Sequence, residues 1–121
     1  MIVIDTSVWI DHFRQGDPRV ALYASHLEIA QHPFVTGELA MGNLSTWRRT
    51  VDALGQLPQA EVLAPNDLLD FMETNRLMGT GIGFVDGHLL GSCAQGGHEL
   101  WTRDRRLTEQ AERLGLLHTP G

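Results

Sequence analysis

Short apolar runs alternate with longer helical stretches along this chain, the pattern of strands joined by crossover helices, and the fold class it predicts is α/β. Ile2-Val3-Ile4 is a run of three β-formers with no polar alternation, as expected of a strand covered on both faces. Thr6 to Arg14 then reads as a helix, with Asp5 at the junction. Asp17-Pro18 starts a second helix, whose stripe of Val20, Tyr23, Leu27 and Ala30 is widened by Leu22 and Ile29 and broken at His32-Pro33. Phe34-Val35 reads as a second strand, and the helix opening at Thr36 and running through Met41 carries Glu38 in its first turn. Ser45-Thr46 caps a helix bearing Trp47, Val51 and Leu54 up to Gly55.

Glu61-Val62-Leu63 is a short strand candidate, and Pro65 at a helical N1 position starts a helix with Leu68, Leu69 and Met72 inward, ended by Gly79. The glycine-rich stretch Gly79-Thr80-Gly81-Ile82-Gly83 follows a helix and lacks dinucleotide spacing, so it reads as a tight helix-to-helix turn. Phe84 to Gln95 is helical, with Asp86 in its first turn. Glu99 to Thr102 is the last core strand, and Asp104 to Leu114 the last helix before Gly115.

At 121 residues the chain predicts one domain spanning 1–121. Hydrophobic residues at 42% and charged residues at 20% are a globular composition. No apolar run approaches the ~20 residues of a membrane span, and no basic leader segment is visible, which predicts a cytoplasmic protein with no membrane contact. The lone Cys93 excludes an internal disulfide and a cysteine-rich zinc cluster. All nine basic residues are arginine, which rules out a P-loop lysine and Schiff-base chemistry. A net charge of −6 gives no long-range attraction to phosphate backbones, so any nucleic-acid role needs a local arginine patch or metal ions.

Four carboxylates, Asp5, Glu38, Asp86 and Asp104, stand at predicted helix starts, and Asp5, Glu38 and Asp104 each follow a predicted strand, where open parallel sheets place their sites. Helix capping alone accounts for an acid at such a position, at some tenths to ~1 kcal/mol each, but least well for Asp5, which directly follows three apolar β-formers. If the crossovers bring the four together, their repulsion raises their pKa values unless cations intervene. An all-carboxylate set without cysteine or spaced histidines suits Mg2+ or Mn2+ rather than zinc, and that chemistry suits phosphodiester hydrolysis.

Asp5-Thr6-Ser7-Val8-Trp9-Ile10-Asp11, Glu38-Leu39-Ala40-Met41-Gly42, Gly83-Phe84-Val85-Asp86-Gly87-His88-Leu89-Leu90 and Leu100-Trp101-Thr102-Arg103-Asp104-Arg105-Arg106-Leu107 resemble, in order, the four signature blocks of PIN-domain proteins of the VapC toxin type. The resemblance spans essentially the whole chain. It implies a PIN-like three-layer α/β/α sandwich with a small parallel sheet. It also implies a toxin of a type II toxin–antitoxin system: a Mg2+- or Mn2+-dependent endoribonuclease, homodimeric, neutralised by a cognate antitoxin and able to join a higher toxin–antitoxin assembly. Carried over by position, Asp5 and Asp86 are metal ligands, Asp104 completes the cluster, and Glu38 binds metal or positions the attacking water. Ser7, Thr6 and Thr102 support metal-bound water through their hydroxyls. Gly87 departs from the family's usual alanine, which loosens the helix by up to ~1 kcal/mol without touching the chemistry.

Arg103, Arg105 and Arg106 flank Asp104 as candidate contacts to RNA phosphates, their alternative being a solvated helix face. Trp9 and Trp101 read as core, and Trp47 beside Arg48-Arg49 is the one stretch with base-stacking character. The helices over 21–30 and 46–54 offer apolar residues able to line an antitoxin groove. Two other functions compete with the nuclease: a non-catalytic PIN-like module that binds RNA or antitoxin, and a metal-dependent phosphatase of small phosphoesters.

Overall fold

The computed structural model describes residues 1–120. Strand β1 (Ile2–Ile4) pairs in parallel with β2 (Glu99–Trp101), Val3 opposite Leu100. All three residues of β1 are buried, as a strand covered on both faces requires. Single parallel bridges extend the sheet: Ile29 lies beside Ile2, Gln59 beside Gln31, and Leu117 beside Leu100. Around this small parallel sheet lie seven helices among the described residues: α1 (Thr6–Gln15), α2 (Pro18–Ser25), α3 (Pro33–Ala40), α4 (Trp47–Gln56), α5 (Pro65–Thr74), α6 (Phe84–Gly96) and α7 (Arg105–Arg113). The α/β, PIN-like architecture anticipated from the sequence is the one observed. Val3, Val8, Ile29, Val35, Leu89, Leu90, Leu100 and Leu107 are wholly enclosed in its core, with Trp9 and Trp101 beside them.

Four expected elements differ. Helix α5 ends at Thr74 rather than at Gly79, with Arg76 at a left-handed φ of 53°, and its Leu69 is exposed rather than inward. Helix α2 stops at Ser25, and Leu27 adopts a left-handed φ of 54°, so Leu27 and Ala30 do not continue its stripe. The chain there turns back to the sheet: the Ile2 N–H donates to Glu28 C=O at 2.8 Å and the Ala30 N–H to Ile2 C=O at 2.9 Å. Tertiary pairing overrides helical periodicity in this segment. Phe34-Val35 is not a strand but the first turn of α3, with Pro33 at N1 and the His32 Nδ1 accepting from the Phe34 N–H at 3.0 Å. Glu38 consequently lies near the end of α3 rather than in its first turn. Glu61-Val62-Leu63 is also not a strand; the bridging residue is Gln59, while the Glu61 carbonyl accepts from the buried Ser92 hydroxyl at 2.6 Å.

Candidate functional site

Asp5 is placed by the sheet itself. Its N–H donates to the Trp101 C=O at 2.9 Å, so the parallel pairing continues one residue past β1 and sets Asp5 beside the end of β2. It occupies the N-cap position of α1, yet its side chain makes no capping hydrogen bond. Instead its Oδ2 accepts from the Ser7 hydroxyl at 2.7 Å and from the Thr102 hydroxyl at 2.8 Å. Each hydroxyl is oriented in turn, because the Arg103 N–H donates to Ser7 Oγ and the Asp104 N–H to Thr102 Oγ1, both at 3.1 Å. Asp5 and Thr102 are both buried, so these bonds fix the carboxylate where water cannot.

The other acids arrive from three helices. Asp104 does cap α7, its Oδ1 accepting from the Leu107 N–H at 2.9 Å. Asp86, at the third position of α6, accepts from the Gly83 N–H through Oδ2 at 3.0 Å. Glu38 accepts from the Thr6 hydroxyl through Oε1 at 2.8 Å, which ties α3 to the first residue of α1. One oxygen of each carboxylate is therefore held by the protein, and the other carries no protein hydrogen bond among the described residues.

The four are near enough to feel one another. Burial raises the Asp86 carboxyl above its ordinary 3.8, and the charges of Asp5, Asp104 and Glu38 raise it further, against the lowering effect of the Gly83 N–H. No arginine offsets these charges at Asp86. Among the described residues no group of three or more His, Cys, Asp and Glu side chains is placed to hold a metal ion together. The donor set nonetheless fits Mg2+ or Mn2+, since such ions keep several waters and take only one or two carboxylates, with phosphate completing the shell.

The arginines of the Asp104 segment separate by environment. The Arg103 guanidinium is shared between Asp11 and Asp17, at 3.1 Å from Asp17 Oδ2, and lies 6.0 Å from the centre of the Trp101 ring. Arg19 holds the Asp17 carboxyl at about 2 through its side chain and N–H, with Arg103 adding to it, against burial. Arg105 faces Glu109 at 3.8 Å, and Arg106 lies against Gly81. The contacts of Arg103 and Arg106 were not legible in the sequence, because they join residues far apart along the chain, whereas Arg105–Glu109 and Arg19–Asp17 are local pairs. His88 is buried against the edges of Phe34 and Phe84, at 4.6 and 4.7 Å between ring centres, and belongs to the packing. The indole N–H of Trp47 donates to Ala40 C=O at 2.7 Å, with Arg48 over its ring. At Gly87 an added Cβ would meet Met72 Cε at 3.4 Å, so the family's alanine has room here.

Two cavities lie along α1, the first of them beside this site. One, of about 300 Å3, has Thr6 and Glu38 on one wall and Ile10, Phe13 and Arg14 on another. The second, of about 350 Å3, lies between α1, α2 and α4, lined by Trp9, Phe13, Ala24, Ala53, Leu54 and Leu57. No helix is long and apolar enough to cross a membrane among the described residues.

A parallel sheet that ends in carboxylates, enclosed by helices, defines a PIN-like α/β protein. Solved structures share the fold. FitAcB from Neisseria gonorrhoeae matches with a TM-score of 0.63 at 18% identity, covering 93% of this chain and 94% of that one. FitAB bound to a DNA fragment matches with a TM-score of 0.61 at 18% identity, covering 93% and 91%. PAE2754 from Pyrobaculum aerophilum matches with a TM-score of 0.57 at 17% identity, covering 93% and 85%. No family model matches the chain. Ribonuclease VapC32, from two strains of Mycobacterium tuberculosis, is 41% identical over 117 residues, 96% of this chain and 94% of the relative. The chain belongs to the VapC family of PIN-domain ribonucleases, a toxin class.

Proposed function

We propose that this protein is a Mg2+- or Mn2+-dependent endoribonuclease toxin that hydrolyses RNA phosphodiester bonds at the Asp5, Glu38, Asp86 and Asp104 cluster. The observation that carries the reading is the placement of Asp5, Asp104 and Glu38 near enough to Asp86 that their charges add to burial in raising its carboxyl. A divalent cation, when bound, supplies the charge that makes water nucleophilic near neutral pH and that absorbs negative charge building on the phosphate. Asp5 and Asp86 would hold the ion and Asp104 would complete the set. Ser7 and Thr102 keep Asp5 aimed, since both hydroxyls donate to its Oδ2. Thr6 fixes one oxygen of Glu38, leaving the other to orient the attacking water and receive its proton.

Neutralisation by a cognate antitoxin belongs to the same reading. The apolar cavity between α1, α2 and α4 is a seat for an amphipathic partner segment, and a basic side chain from that segment would be drawn to the carboxylates. A homodimer within a larger toxin–antitoxin assembly follows by family analogy.

The test is cleavage of total cellular RNA by purified protein with EDTA, Mg2+ or Mn2+, with Asp5→Asn and Asp86→Asn alongside. Cleavage should require metal and fall at least ~100-fold in both variants, and Thr102→Val should lose ~10–100-fold through misorientation of Asp5. RNA left equally intact by wild type and variants, despite measurable metal binding, would make a non-cutting RNA- or antitoxin-binding module the better reading. Turnover of a chromogenic phosphomonoester without RNA cleavage would instead support a small-molecule phosphatase.

A further inference from the structure

All of this chain's positive side-chain charge at neutral pH rests on nine arginines, and several are already committed. Arg19 and Arg103 face Asp17, Arg48 faces Asp52, and Arg105 faces Glu109. Arg113 donates to Gln110 and to the Asn75 carbonyl. Arg106 has neither an ion pair nor a hydrogen bond among the described residues. Its place is nevertheless well defined. A Cβ on Gly81 would stand 3.0 Å from both Cδ and Nη1 of Arg106 and 3.3 Å from its Cζ, so the side chain rests directly on that glycine. Gly81 also has a φ of +89°, which other residues adopt only under strain.

The seat is beside the chemistry. Gly81 belongs to the glycine-rich turn that leads into Gly83, whose N–H holds Asp86. Arg106 itself follows Asp104, the cap of its helix, by two residues. An exposed, unpaired guanidinium is thus held between the turn before α6 and the start of α7, the segments that carry Asp86 and Asp104. A polyanion entering a pocket of four acids, on a chain of net charge −6, needs a compensating cation at the rim. The planar fork of arginine suits a phosphate, and packing on a glycine reduces the side-chain freedom lost on binding.

We propose that Arg106, seated on Gly81, clamps a phosphate of the RNA strand flanking the bond to be cut, and that position 81 is glycine because it must receive this side chain. Which phosphate is the scissile one rests on the nuclease reading; the clamp itself is tested by binding. The probe is a short labelled single-stranded RNA with the Asp5→Asn protein in Mg2+, titrated across a range of KCl concentrations. Adding Arg106→Gln should weaken binding and reduce the slope of log affinity against log salt by about 0.7, the share of one phosphate contact on a single strand. Arg106→Lys should keep the slope and lose part of the affinity. Arg113→Gln removes the same charge from the far end of α7 and should leave the slope unchanged. Gly81→Ala should act in the direction of Arg106→Gln and add little to it in the double variant.

An unchanged slope in Arg106→Gln, equal losses in Arg106→Gln and Arg113→Gln, or no RNA binding by the parent protein would each overturn the clamp. The two readings fail separately. RNA binding with an Arg106-dependent slope but no cleavage by wild type sinks the nuclease and leaves the clamp standing. Cleavage with a slope indifferent to Arg106 does the reverse.

Discussion

Asp5 sits where a helix cap belongs and does not cap, because two hydroxyls and the sheet hold its carboxylate elsewhere. Asp104 caps its helix in the ordinary way, and Asp86 takes the N–H of Gly83, so for these two the structural role and the proposed chemical role coexist in one side chain. That difference was legible from the sequence at Asp5, whose place after three apolar β-formers gave capping the least to explain. It was not legible at Arg103, whose carboxylate partners come from α1 and the turn before α2. Asp86 gives the sharpest prediction at this scale. Its folded pKa is raised above 3.8, so the stability it contributes is present at lower pH and lost as pH rises through the folded value. Without divalent ions, Asp86→Asn should therefore unfold at a higher temperature than wild type at pH 7, by ~1 kcal/mol or less. Mg2+ should stabilise wild type at pH 7, do so less as Asp86 protonates, and do little for the variant. Calorimetry across pH checks the signs, and a metal-free variant less stable than wild type would refute the repulsive pocket.

At the level of elements, His32 joins two helices and explains the misread start of α3. Proline after a histidine looks like the end of the preceding helix, and Phe34-Val35 are both β-formers, so the strand reading followed from propensity. The same His-Pro pair is equally an N-cap followed by a proline at N1, and burial of Val35 in the core decides for the helix. The His32 Nδ1 accepts the Phe34 N–H, which leaves the proton on Nε2, 3.1 Å from Ser92 Oγ. Burial, and then the nearby His88, push its pKa down to about 4. Because the unfolded chain titrates at 6.5, protons favour unfolding as pH falls from there through 4, on the order of 3 kcal/mol for His32 alone. His88 and His98, also lowered by burial, add in the same sense. The urea midpoint should thus fall between pH 7 and pH 4.5. His32→Asn keeps a capping acceptor but not the titration, and should show a smaller fall; an equal fall would place the acid sensitivity elsewhere.

Over the whole molecule, the proposed function asks an acidic chain to attract two quite different partners to neighbouring surfaces: RNA to the carboxylate pocket, and an antitoxin to the apolar face along α1 and α4. Strands β1 and β2, and Asp5, Asp86 and Asp104 at their helix starts, could be anticipated because they depend on local runs and junctions. The two helix stretches that line the second cavity could be anticipated in part, but not the contribution of α1, nor the first cavity between α1 and α3. The two surfaces share α1, with Thr6 at the acidic end and Phe13 lining both cavities. A partner extending along α1 from the second cavity into the first would therefore approach Glu38. Separation of the functions follows from this layout. Ala53 is exposed on the groove wall and distant in sequence from every carboxylate of the cluster, so Ala53→Glu should cost the fold under ~0.5 kcal/mol while putting a charge where an apolar segment would lie. In cells, the variant should arrest growth as wild type does, but co-expression of the antitoxin should no longer restore it. The purified pair should dissociate more readily on sizing columns. Full rescue of Ala53→Glu by the antitoxin would move its docking surface off α4.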